Sequence, residues 1–179
     1  MQELCGKVSE LPTDIQWHFI GPLQSNKANL LVKTVGLDQL SCVETVASLK
    51  LAKKLNKAVV DLDTSKCLGI YIQINTSGEE SKSGVLPGEE MKDLTKSIME
   101  DCPQLKIKGV MTIGAPGKYE CFDCLVECRQ DLADIVGVSP KDLDLSMGMS
   151  GDFEEAIQRG ATNVRVGSTI FGARDYSNK

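Results

Sequence analysis

Aromatic side chains make up only 4% of this 179-residue chain, which holds a single tryptophan and a single histidine. So few flat rings leave no stacking platform for single-stranded nucleic acid. An excess of positive charge is missing too: 20 Lys and Arg stand against 25 Asp and Glu, a formal net charge of −5. Binding a phosphate backbone takes clustered cations, whereas Lys50, Lys53, Lys54 and Lys57 have the spacing of one solvated helix face. No apolar run is long enough to cross a bilayer, and no N-terminal stretch has the apolar core of a secretion signal. Neither nucleic acid nor a membrane is expected as a partner.

The lone histidine also limits metal chemistry. Cys121, Cys124 and Cys128 recur at helical i, i+3, i+7 spacing, but a zinc site takes four ligands and His18 is far away in sequence. They read as inert thiols on the buried face of one helix. Seven cysteines without a secretion signal point to reduced thiols and a cytoplasmic location, with mitochondrial association left open. At 41% hydrophobic, the length suits the core of one domain.

What is present is an alternation of short apolar runs and amphipathic stretches. The runs Ile15–Ile20, Gln39–Val43, Gly69–Asn75, Lys106–Ile113, Leu143–Met147 and Asn163–Val166 read as strands ending in turn chemistry. Helices are expected over roughly Asn26–Lys33, Ala47–Asn56, Pro87–Asp101, Tyr119–Val136 and Asp152–Arg159. Strict alternation implies parallel strands, in either a doubly wound sheet or a (β/α) barrel. Turn clusters at Gly21, Asn75–Gly78, Thr112–Gly114, Ser146–Ser150 and Gly167–Thr169 follow the ends of different strands. A ring of loops on one face favours the barrel, because a doubly wound sheet gathers its ligand groups at one switch point. Six strands are countable where such a barrel closes with eight, so the expected fold is a (β/α)8 barrel truncated N-terminally to about six βα units. Residues 1–179 then form a single incomplete domain.

The chemistry concentrates in LSMGMSGDFEEAIQRGATNVRVGSTIFGAR (145–174). Ser146–Ser150 and Gly167–Thr169 are strand-to-helix turns rich in small and hydroxyl residues, suited to cradling a phosphate dianion with backbone N–H groups. Arg165, on the strand entering the second turn, could reach the body of a ligand held there, which suggests a phosphorylated aromatic cofactor. Taken singly, Ser150 is a helix cap and Gly167 a turn former. Two such turns flanking one arginine outweigh those readings only inside a matching family frame.

Read together, WHFIGPLQSNK (17–27), QINTSGEESKSGV (73–85), GVMTIG (109–114), LSMGMSGDFEEAI (145–157) and VRVGSTIFGAR (164–174) closely resemble the pyridoxal-phosphate homeostasis proteins, one-domain relatives of the alanine racemase barrel. The resemblance spans Ile15 to Tyr176. It implies pyridoxal 5′-phosphate (PLP) as cofactor, a monomeric carrier or buffer with no established turnover, and PLP-dependent apoenzymes as possible recipients. It also implies roles. Ser150, Gly167, Ser168 and Thr169 would hold the phosphate, Arg165 would face the pyridine nitrogen, and Asn75 and Met111 would stand at cofactor-side strand ends.

One departure matters. Family members hold the cofactor aldehyde on a first-strand lysine in a segment like VAVSKTKP, and no such segment exists here. Lys27, Lys66, Lys82, Lys106 and Lys108 are each expected to lie away from the barrel centre, so binding would be non-covalent at best and no catalytic residue is assigned. Three functions compete: a non-catalytic PLP carrier, a racemase-like enzyme lacking an evident lysine or tyrosine base (Tyr71, Tyr119 and Tyr176 have no supporting motif), and a truncated fragment with weak or no PLP binding. In the last case the exposed strand edges could self-associate.

Overall fold

The computed structural model of the chain describes residues 1–79 and 82–173. Its strands are β1 (Trp17–Phe19), β2 (Leu40–Val46), β3 (Leu68–Gln73), β4 (Leu105–Met111), β5 (Asp144–Met149) and β6 (Asn163–Arg165). The helices are α1 (Gln2–Glu10), α2 (Ala28–Val35), α3 (Leu49–Leu62), α4 (Glu89–Asp101), α5 (Glu120–Val136), α6 (Phe153–Gln158) and α7 (Ser168–Phe171). All six strands run parallel, each beside its neighbour in sequence, in the order β1-β2-β3-β4-β5-β6. That order is a barrel wall; a doubly wound sheet would reverse direction part-way.

Hydrogen bonds across the inner face show how strongly the sheet curls. Strands β2 and β5 are separated by two others, so in a flat sheet they would stand roughly 14 Å apart. Yet Ser146 Oγ on β5 donates to Glu44 Oε2 on β2 at 2.5 Å. Likewise Asn163 Nδ2 on β6 donates to the Tyr71 hydroxyl on β3 at 2.6 Å. The wall is bent into an arc whose inner side chains meet.

Packing on the outer face follows from the helices' apolar stripes. In α3, Leu51, Ala52, Leu55, Ala58 and Val59 are buried, and the Ser48 hydroxyl accepts from Leu51 N at the start. This helix runs past the expected end at Asn56 because Ala58 and Val59 continue the buried stripe and Lys57 pairs with Asp61 at 3.0 Å. Strand β3 is buried along its whole length: Ile70 and Ile72 pack outward, and Tyr71 joins Cys42 and Met111 in a separate inner cluster. In α5, Cys121 and Cys128 are buried with Phe122, Leu125 and Leu132, while Cys124 is half-buried. Among the described residues no group of three or more His, Cys, Asp or Glu is placed to hold a metal. Nor is any helix there long and apolar enough to cross a membrane.

Two glycines are set by space. A Cβ on Gly109 would collide with the Asp144 carbonyl and lie 2.7 Å from its nitrogen, so β4 and β5 approach only because none is there. Gly148 has φ +90, and a Cβ there would sit 2.6 Å from that of Ala156, which lets α6 press onto β5. Gly109→Ala is expected to cost about 1–3 kcal/mol by overpacking, read as a lower urea midpoint with an unchanged slope. Burial, then the neighbouring Cys124, pushes the Cys128 thiol from 9.0 up to about 12. A raised thiol stabilises the fold fully below its unfolded value and loses that contribution as pH climbs through the folded one. Stability should therefore fall between pH 9 and about 12, and Cys128→Ala should flatten that alkaline limb in denaturant titrations.

Candidate functional site

The C-terminal ends of β4, β5 and β6 bring the expected seat together. Ser150 follows β5, and its hydroxyl accepts from the backbone N–H of Gly167 at 2.9 Å and of Thr169 at 3.4 Å. Two amides of the Gly167–Thr169 turn thus converge on one side-chain oxygen just after β5; Ser146 to Met149, expected to belong to the first turn, lie inside β5, because the strand pairing with β6 runs on to Met149. Gly167, Ser168 and Thr169 are exposed, so this rim opens to solvent. Met149 N donates to Asp152 Oδ1 at 2.6 Å, which fixes the first turn.

Arg165 points inward from β6. Its Nη1 donates to Ser146 Oγ at 2.9 Å and its Nη2 to the Thr112 carbonyl at 2.7 Å. Burial draws its pKa below the ordinary value, opposed by the charges of Glu44 and Asp152. Ser146 and Glu44 are fully buried, and the other Glu44 oxygen takes a 2.6 Å bond from His18 Nδ1 on β1. Deeper, the Tyr71 hydroxyl donates to Asp144 Oδ2 at 2.9 Å, and burial followed by Cys42 and Asp144 raises its pKa far above the ordinary range.

Asn75 and Met111 both stand at C-terminal strand ends, Asn75 just past β3 and Met111 as the last residue of β4. Asn75 is buried, but its amide is used by its own loop, donating to Glu79 O at 2.9 Å and accepting from Ser77 at 3.1 Å. Its side chain ties the Glu79 and Lys82 carbonyls back to the end of β3 and does not join the Arg165 group. Met111 lies on the inner face, packed with Cys42 and Tyr71 beneath that group. Glu44, just past the expected strand end at Val43, is inside β2.

The lysines need one correction. Lys108 does lie on the inner face: its Cε and Cδ run 2.7 and 2.9 Å from where a Gly69 Cβ would be. The register of β3 against β4 shifts between Ile70 and Tyr71, opposite this residue, which turns the side chain inward. It lies toward the N-terminal end of the sheet, opposite to the end carrying Ser150. Lys82 reaches the Gly114 carbonyl at 3.4 Å and Lys66 pairs with Asp38. Arg174 and Tyr176 lie outside the described residues.

The sequence reading missed Glu44, Ser146, Thr112 and His18 as members of the Arg165 group. A signal existed in Cys42 and Glu44, which share one face of β2 by period-two alternation. Nothing in the sequence says that this face meets β5 across the arc.

A family model for the alanine racemase N-terminal domain matches residues 24–175. The pyridoxal phosphate homeostasis protein of Caenorhabditis elegans is 44% identical over 178 residues, covering 93% of this chain and 69% of that protein. This chain belongs to the pyridoxal phosphate homeostasis protein family. The Bos taurus protein of that name is 46% identical over 172 residues; the match takes in 93% of this chain and 62% of that one, so the chain spans less than two thirds of its length. Among solved structures, PipY of Synechococcus elongatus PCC7942, determined without PLP, superposes with a TM-score of 0.75 at 27% identity over 93% of this chain and 75% of its own. An alanine racemase of Clostridium difficile 630 shares the fold at 14% identity, with a TM-score of 0.69 over 98% of this chain and 44% of that enzyme.

Proposed function

We propose that this chain is a non-catalytic binder of pyridoxal 5′-phosphate that serves PLP homeostasis by holding the cofactor and releasing it to PLP-dependent apoenzymes. The observation that carries this reading is the meeting of the Gly167 and Thr169 amides on the Ser150 hydroxyl, close to an inward-facing Arg165. The residues fit the group. An oxygen acceptor already sits where the amides converge, as a phosphate oxygen would, and Ser168 adds a hydroxyl on the same rim. Kinship supports the same ligand, since relatives in eukaryotes and bacteria are named pyridoxal phosphate homeostasis proteins.

Bound PLP brings an aldehyde and a pyridine ring able to withdraw electrons when its nitrogen is protonated. Arg165 facing that nitrogen would oppose its protonation, because one cation disfavours another nearby, and would keep the ring a poor electron sink. Among the described residues both tyrosines are engaged elsewhere: the Tyr71 hydroxyl by Asp144 and Asn163, and Tyr119 by stacking on Phe122 under the Arg159 guanidinium. These features support retention without turnover.

Equilibrium dialysis with PLP tests the reading. Each charge-assisted hydrogen bond to phosphate is worth roughly 1.5–3 kcal/mol, so Arg165→Leu and Ser150→Ala are each expected to weaken retention about tenfold or more. Equal affinity in both variants removes the assigned seat. Borohydride treatment with PLP and peptide mapping is expected to leave no single lysine labelled; specific modification of Lys108 would instead establish a covalent anchor.

A further inference from the structure

Arg165 owes its inward direction to residues outside the phosphate turns. Ser146 and Glu44 are among the most buried polar side chains described, at 0% and 2% exposure, on an inner face where apolar residues would pack equally well. A carboxylate taken that far from water is costly unless its oxygens are bonded. Here each oxygen has its own partner, His18 Nδ1 at 2.6 Å and Ser146 Oγ at 2.5 Å. With Glu44 ionised, the Ser146 proton goes to the carboxylate, and its oxygen lone pairs are free to accept from Arg165 Nη1 at 2.9 Å. The hydroxyl thus passes negative charge to a guanidinium that Glu44 does not touch, while the Thr112 carbonyl anchors Nη2 at 2.7 Å.

We propose that Glu44 and Ser146 are positioning residues that fix Arg165 as an oriented cation facing the ligand's ring, with His18 holding the far oxygen of Glu44. The inference rests on the reading of this site as a pyridoxal phosphate seat. Other charged or titratable groups around it are committed elsewhere or act at a distance. Asp144 bonds Tyr71 and Thr162, and Asp152 bonds the Met149 amide. Cys42 and Tyr71 face Glu44 as neutral groups, their pKa values raised by burial, and Lys108 lies beside Cys42. Among the described residues, Glu44 is the carboxylate hydrogen-bonded into the Arg165 group.

Two substitutions separate charge from geometry. Glu44→Gln keeps an acceptor for Ser146 and removes the charge, and Ser146→Ala removes the hydroxyl that relays it. Ser146→Thr keeps that hydroxyl and serves as the rescue. The first readout uses ligand-free, nitrogen-15-labelled protein, in which the Arg165 Nη–H resonances report hindered rotation of an anchored guanidinium. Separate resonances are expected in the wild type and Ser146→Thr, and averaged ones in Ser146→Ala and Glu44→Gln. The second is PLP retention by dialysis, expected to fall about tenfold in Ser146→Ala and Glu44→Gln and to recover in Ser146→Thr, the scale of one charge-assisted contact. Unchanged Arg165 resonances and unchanged retention in both variants overturn the positioning role. So does retention that falls only in step with the thermal midpoint while the resonances stay separate. A wild type that retains no PLP, with Arg165 resonances still averaged in Ser146→Ala, sinks the cofactor reading and leaves the positioning role standing.

Discussion

The Ser146–Glu44 hydrogen bond is the contact on which the site depends. It ties β5 to β2 across two intervening strands, and it can form only because the sheet is bent. The same hydroxyl accepts from Arg165 Nη1, so the guanidinium is tied into the contact that closes the arc. Curvature and the direction of Arg165 therefore meet at one buried carboxylate. Desolvating that group is the cost, offset by three partners in series: His18, Ser146 and Arg165. Below it, Asn163, Tyr71, Asp144 and Thr162 form a second polar layer that spans the arc from β6 to β3. An inner face built this way specifies its own arc through directional bonds, which apolar packing alone would leave less defined.

Much of the fold was legible in the chain. Alternating β-rich runs and amphipathic stretches placed all six strands and predicted the parallel barrel wall, because local periodicity reports which face a residue buries. Boundaries were harder. Asn56 reads as a helix end, yet α3 continues to Leu62 on the strength of buried Ala58 and Val59. Ser150, Gly167 and Thr169 could be paired from turn chemistry together with the family resemblance, since singly a hydroxyl or glycine at a strand end reads as a cap or a turn former. The Arg165 partners could not, because His18, Glu44 and Ser146 lie on three different strands and only the bend of the sheet brings them together. Lys108 was misplaced for a related reason: a register shift between β3 and β4 turns it inward, and no residue pattern announces that shift.

Family membership and geometry divide the functional argument between them. Membership supplies the expected ligand class, and the fold supplies its places of attachment: a rim of amides and hydroxyls, and an oriented guanidinium. Lys108 runs beside Gly69 near the N-terminal end of β3, away from the strand ends that carry Ser150 and Gly167.

The Ser150 hydroxyl has one more consequence. By accepting from both Gly167 and Thr169, it staples the loop after β5 to the start of α7. One oxygen atom thereby sets the distance between two segments that the chain keeps 17 residues apart.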